Sequence, residues 1–271
     1  MEGRGRRVIR ILENLKTITN KEIRAVLPGV EIVKEGVKGV KGVILDARPF
    51  DIVQWPTLKV ISRVGVGVDN IDLEECRERG IAVFTTPCQE LTDAVAQFTV
   101  RQILNLLTMD ASRSRNLSEM RVGIVGCGRI GSAVAKLLCA FGAQVRAYDI
   151  SPFLQDATKD SLLKWADIVT VHVSGNREVI GGRELESMRP GSYLINMARG
   201  ECVNEAQVVS ALQTGKLAGF VSDVNYGMVV KGVVSRRVLL TPHIASDTLE
   251  ARAAMERKAL ENLVKGLGGK R

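Results

Sequence analysis

What this chain has little of narrows the field first. Aromatic residues make up 4% of its 271 residues, and histidine occurs twice, at His172 and His243. No stretch approaches the ~20 consecutive apolar residues that a helix needs to cross a bilayer. The basic start MEGRGRR leads into no apolar signal-type region, so the expected location is the cytoplasm. Five cysteines (Cys76, Cys88, Cys127, Cys139 and Cys202) include no C-x-x-C pair and have no histidine at ligand spacing. Reduced, mostly buried thiols and no metal site are expected. The formal charge of +8 is spread along the chain without a DNA- or RNA-reading motif. A basic surface meeting small anionic ligands is therefore expected, with neither nucleic acid nor membrane as partner.

What is present is ordinary soluble-protein material, 45% apolar and 25% charged, in a chain long enough for one large domain or two small ones. Short apolar runs alternate with helical patterns. The runs at 8–11, 30–33, 43–46, 58–62 and 81–84 read as strands. Helices are expected over 21–27, behind the capping box Thr19-x-x-Glu22, and over 73–79, stopped by Gly80. A long amphipathic segment occupies 92–108. A second strand series follows at 122–125, 145–148, 168–173, 193–196, 218–222 and 238–240, with helices near 130–140, 183–188 and 205–212. Residues 247–267 read as a last helix. The stretch EGVKGVKGV (35–43) reads as a solvated turn entering a strand. Strand–helix alternation at this spacing predicts an α/β fold of two doubly wound lobes, each with a parallel sheet covered on both faces.

The strongest local signal is RVGIVGCGRIGSAVAKLLCAFGAQVRAYD, residues 121–149. A strand runs into Gly126-x-Gly128-x-x-Gly131, a helix follows, and the next strand ends at Asp149. Gly126 permits the tight turn, Gly128 lets backbone approach a pyrophosphate, and Gly131 allows helix to pack closely on strand. The helix N-terminus offers free N–H groups to phosphate, with Arg129 and Ile130 in its first turn. Asp149, eighteen residues past Gly131, is placed to accept hydrogen bonds from a ribose diol and would repel a 2′-phosphate. NAD is expected over NADP. Cys127 inside the loop reads as a small filler.

Three further stretches put chemistry at strand ends, where open parallel sheets bind ligands. RVGVGVDNID follows the strand at 58–62, LINMARG places Arg199 after another, and LLTPHIAS places His243 after a third. Arg199 and His243 could converge on a substrate beside a nicotinamide. His172, inside VTVHV, reads as a core or crevice-wall histidine.

These stretches, with GIAVFTTP, MRPGSYLINMARG and SALQTGKLAGFVSDV in the same order, resemble the D-isomer-specific 2-hydroxyacid dehydrogenase family over nearly the whole chain. The resemblance implies a Rossmann nucleotide domain (93–243) inserted in a flavodoxin-like substrate domain (7–92 plus 244–271), and a homodimer built on the nucleotide domain. It implies that Arg199 binds the substrate carboxylate and polarises the 2-oxo group, and that His243 gives or takes the proton. Backbone N–H groups of Val64, Gly65 and Val66 would hold the carboxylate, and Asp223 would bond the nicotinamide carboxamide.

One departure stands out. The family pattern has a catalytic Glu, followed by Pro, five residues after the Asp aligned with Asp223; here Met228 and Val229 stand there, and no acid occurs between 224 and 246. A carboxylate beside an imidazole raises its pKa and fixes its tautomer, which a thioether cannot do. His243 is therefore expected at or below the ordinary value of roughly 6.5, which would attenuate reduction more than oxidation. The linker LSEM and the loop SGNREVIGG are shorter than is usual in the family. The leading expectation is an NAD-dependent oxidoreductase acting on a small 2-hydroxy or 2-oxo acid. The alternatives are a catalytically weak NAD(H)-binding sensor or interaction protein, and a dehydrogenase for another oxyacid such as phosphite.

Overall fold

The computed structural model describes residues 8–11, 15–27, 30–33, 39–109, 114–224 and 237–268. Met228 lies outside the described residues, as does the start of the 35–43 stretch. The chain forms two units, one made of the residues up to Leu91 together with those from Asp247 on, the other of Thr92–Ser246.

The first unit holds a five-stranded parallel sheet: β1 (Val8–Ile11), β2 (Glu31–Val33), β3 (Val40–Leu45), β4 (Val60–Arg63) and β5 (Ala82–Phe84), in the order β2-β1-β3-β4-β5. That is the flavodoxin-type order, with the chain reversing its direction of travel across the sheet at β1. Strand β3 begins at Val40, three residues before the expected start, so residues 40–42 are strand where a turn was expected. Alternate residues along β3 serve opposite faces. Val43 and Leu45 join a core with Ile52, Trp55, Leu58 and Cys76, the last on helix α2 (Leu73–Glu78). A Cβ at Gly42 on the other face would stand 2.7 Å from Leu263, so glycine lets helix α8 (Leu249–Gly266) lie close. Helix α1 (Asn20–Val26) carries the reciprocal capping box, with the Thr19 hydroxyl accepting from the Glu22 amide and the Glu22 carboxylate from the Thr19 amide.

Helix α8 anchors this unit through an acid. Glu256 is fully buried on it and accepts from the amides of Lys16, Thr17 and Ile18 and from the Thr17 hydroxyl at 2.6 Å. Arg252 one turn back lies 3.3 Å from the same carboxylate. A carboxylate taking several N–H and O–H donors keeps most of what water gave it, which is how an acid is tolerated in a core.

The second unit holds six parallel strands: β6 (Arg121–Val125), β7 (Gln144–Tyr148), β8 (Ile168–Val171), β9 (Ser192–Asn196), β10 (Leu217–Ser222) and β11 (Val238–Leu240), ordered β11-β10-β9-β8-β6-β7. The chain passes from β7 back across β6 to β8, so β6 stands at the switch point where such sheets bind ligands. Helix α3 (Gln89–Thr108) begins three residues before the expected start, and α4 (Arg129–Ala140) links β6 to β7. The sequence reading missed helix α5 (Lys159–Trp165), although Thr158 caps it and Leu162 and Leu163 bury its inner face. Helices α6 (Gly182–Ser187) and α7 (Glu205–Gln213) complete the crossovers. Phe220, Leu194, Val169, Val171 and Leu162 centre the core on one sheet face.

Candidate active site

Every strand of the second unit runs the same way, so its ligand loops all leave one end of one sheet. At the β6 end, steric requirements fix two of the three glycines. Gly126 has φ +93, and a Cβ on it would lie 2.7 Å from the Val173 amide nitrogen. A Cβ on Gly131 would collide with the Gly126 carbonyl oxygen. Gly128 is different: a Cβ there would meet nothing within 4 Å. It is the N-cap of α4, and no side chain caps that helix. The first-turn N–H groups of α4, beside an open glycine, are what a dinucleotide pyrophosphate requires. The arrangement fits the cofactor.

Asp149 directly follows β7. One carboxylate oxygen accepts from the Cys127 amide at 2.8 Å and the other from the Ser151 amide at 2.9 Å. Each oxygen keeps a lone pair for a ribose hydroxyl. Arg129 is exposed and Ile130 half-buried in the first turn of α4.

At the far side of the sheet, Arg199 lies three residues past β9 and precedes one 3-10 turn, Gly200–Cys202. Its guanidinium donates to the Ala198 carbonyl at 2.8 Å. His243 lies three residues past β11, exposed, with φ +58, the only positive φ outside glycine among the described residues. A side chain in that region costs of order 1–2 kcal/mol, and the cost concentrates at functional positions. Asp223, 2% exposed, directly follows β10 between them. Its carboxylate accepts from the Thr241 hydroxyl at 2.6 Å and from the Ile244 and Ala245 amides at 2.9 and 2.7 Å. Asn196, fully buried, accepts from the Ala198 amide and donates to the Arg199 carbonyl at 2.7 Å. Sequence reasoning missed Asn196 and Thr241; an amide closing the apolar run SYLIN was the available signal.

His172 follows β8, which ends at Val171, and so lies past the strand in which the sequence placed it. Its Nε2 pairs with the Thr170 hydroxyl at 2.9 Å, while its buried Nδ1 meets no protein hydrogen-bond partner. Burial pushes the imidazole down to about 3 from 6.5. It stays neutral at physiological pH. Among the cysteines, Cys76 and Cys202 are buried and Cys139 is exposed, so most are less sheltered than expected. Among the described residues no cluster suits a metal ion, and no helix is long and apolar enough to cross a membrane.

In the first unit, the three amides assigned to the substrate carboxylate are not equivalent. Val64 donates to the Leu45 carbonyl at 2.8 Å and Gly65 to the Thr86 hydroxyl at 2.7 Å. That narrows the expectation of three donors to Val66, which is 39% exposed.

A doubly wound parallel sheet with a glycine loop at its switch point, an acid closing the next strand, and an arginine and a histidine past the ends of β9 and β11 is an arrangement suited to a dinucleotide-dependent oxidoreductase. Residues 87–245 match the family model of the D-isomer specific 2-hydroxyacid dehydrogenase NAD binding domain. The chain is 36% identical over 264 residues to a glyoxylate reductase of Thermofilum pendens, covering 83% of this chain and 76% of that one. It is 34% identical over 281 residues to a 2-ketogluconate reductase of Gluconobacter oxydans, covering 93% and 86%. Among solved structures, the NAD complex of a D-isomer specific 2-hydroxyacid dehydrogenase from Lactobacillus delbrueckii superposes with a TM-score of 0.76 at 26% identity, over 97% and 98% of the two chains. The chain belongs to the D-isomer-specific 2-hydroxyacid dehydrogenase family, enzymes that act on hydroxy and keto acids with NAD.

Proposed function

We propose that this enzyme interconverts a small 2-oxo acid and its 2-hydroxy acid, with Arg199 binding the substrate carboxylate and His243 handling the proton. The observation that supports this reading is the pair of loops leaving β9 and β11 at one end of one sheet, one carrying Arg199 and the other His243. Bound NADH supplies the hydride. A guanidinium offers two parallel N–H donors to a carboxylate and polarises the adjacent carbonyl, so charge growing on oxygen meets a fixed cation. His243, as imidazolium, donates its proton to that oxygen; in the reverse direction the neutral ring removes the hydroxyl proton. The family resemblance gives the substrate carboxylate to the backbone amides around Val64, Gly65 and Val66 and the nicotinamide carboxamide to Asp223, and Asp149 selects NAD over NADP. The enzyme works in the cytoplasm as a homodimer built on the nucleotide-binding unit.

The test is NADH oxidation with a panel of glyoxylate, pyruvate, hydroxypyruvate and longer 2-oxo acids between pH 5 and 9. Turnover of at least one acid, abolished in His243→Ala, is expected. An inert wild type that still binds NADH tightly would sink the reading and leave a cofactor-binding sensor. Met228 gives that second reading its footing, because the carboxylate of the family pattern is missing there. Met228→Glu raises the reductive rate near neutral pH and shifts the optimum upward if the missing acid limits proton supply. A panel including phosphite covers the remaining oxyacid alternative.

A further inference from the structure

The loops that carry Arg199 and His243 are each tied down by a buried polar side chain, and the two ties meet. Asn196 spans the Ala198 amide and the Arg199 carbonyl. Asp223 brackets His243, taking the Thr241 hydroxyl on one side and the Ile244 and Ala245 amides on the other. Strands β9 and β10 are in register through Asn196 and Ser222, and the Asp223 amide donates to the Asn196 carbonyl at 3.2 Å. Both side chains are out of water, where hydrogen bonds are stronger and an unmade one is costly. The left-handed backbone of His243 sits between the donors that Asp223 collects, at φ +58. A conformation that disfavours a side chain persists only where its surroundings over-determine it.

Resting on the reading of Arg199 and His243 as the reactive pair, we propose that Asn196 and Asp223 are positioning residues, a joined pair of buried clamps that fixes the backbone beside each reactive side chain and holds the two loops at one spacing. Neither clamp needs to touch the substrate. Asp223 thereby orients the imidazole through its backbone, a contribution that does not depend on the residue at 228. A carboxylate suits the task because one group can accept the hydroxyl and both amides at once.

Two measurements decide it. The first is thermal and needs no turnover. Glycine tolerates a left-handed backbone and alanine does not, so His243→Gly melts roughly 2–4 °C above His243→Ala in the otherwise native chain. In a Thr241→Val or Asp223→Asn background the released loop relaxes, and that gap shrinks to less than half. An unchanged gap in both backgrounds overturns the clamp. Thr241→Val keeps the shape of the native side chain and serves alone if Asp223→Asn does not fold.

The second measurement is kinetic. Thr241→Val lowers kcat for reduction of the preferred 2-oxo acid about tenfold, as expected when a reacting group drifts from its working geometry. KM and the NADH dissociation constant stay within about twofold, and Thr241→Ser restores the rate. A loss expressed only in KM, or a serine variant no better than valine, overturns the positioning role. A wild type inert toward every 2-oxo acid sinks the functional reading, while the melting comparison still decides whether the clamp exists.

Discussion

The two halves of the nucleotide-binding sheet place their ligand loops by opposite means. At β6 and β7 the loop is shaped by what is missing: Gly126 and Gly131 lie where a Cβ would strike backbone, and Gly128 leaves a space open. At β9 to β11 the loops are shaped by what is added, an amide and a carboxylate buried under the backbone they hold. The difference follows the ligands. A pyrophosphate is recognised by backbone N–H groups, so side chains only obstruct it. Under the proposed function a small acid is recognised by a guanidinium and an imidazole, so long side chains need firm footings.

The largest effect that separates the halves is on chemistry. Arg199→Ala is expected to lower kcat/KM by roughly 10³-fold or more with NADH affinity unchanged, since under the proposed function the substrate carboxylate's partner and a polarising charge are lost together. Arg199→Lys recovers part of this, because an ammonium cannot make the two parallel bonds. Steady-state kinetics with NADH titration check both. A comparable loss of NADH affinity would erase the division of labour between the halves.

A second expectation concerns pH and the glycine half, where the backbone of His172 lies against Gly126. The folded-state value of His172, about 3, is below the ordinary 6.5, so between these two limits the unfolded chain binds the extra proton. Stability is therefore complete above about 6.5 and falls as pH drops toward 3, by at most about 1.4 kcal/mol per unit. Urea unfolding should show about 3 kcal/mol lost between pH 6.5 and 4, and His172→Asn should flatten that limb. A profile unchanged by the substitution would mean that the ring is hydrated in solution.

The glycines themselves give the third comparison. Gly131→Ala is expected to cost about 1–3 kcal/mol of stability through overpacking, whereas Gly128→Ala leaves the melting temperature alone and weakens NADH binding. Calorimetry and fluorescence titration of both variants distinguish them. If both variants lose stability equally, the open side of Gly128 is not the cofactor's path. The smallest effect is at Asp149: Asp149→Ser should weaken NADH by about tenfold and narrow the preference over NADPH.

The same contrast governs how much could be read in advance. The glycine half was legible because strand, glycines, helix and acid lie within residues 121–149, and each glycine has a local steric reason. The parallel-sheet architecture was legible from the alternation of short apolar runs with helical patterns. The clamps were not, because Asp223 reaches partners 18 to 22 residues away, and only the pairing of β10 with β11 brings them near. A buried acid in sequence looks like any other acid. Helix α5 was passed over because its burial rests on two adjacent leucines and too few turns to show a period. His172 was read as strand interior because apolar neighbours flank it, whereas its amide hydrogen-bonds back to Val125 past the end of β8. The expectation of three carboxylate-holding amides could not foresee that Leu45 and Thr86 already occupy two.

Glu256 carries a consequence for how the molecule is made. The backbone of Lys16 to Ile18 is secured by an acid that the ribosome adds some 240 residues later, on the helix that also covers β3, β4 and β5. Strands β1 to β5 are thus synthesised before their covering helix, with the whole of Thr92–Ser246 between them. A chain halted after Ser246 would hold every residue of the second unit but lack the helix that covers β3, β4 and β5 of the first.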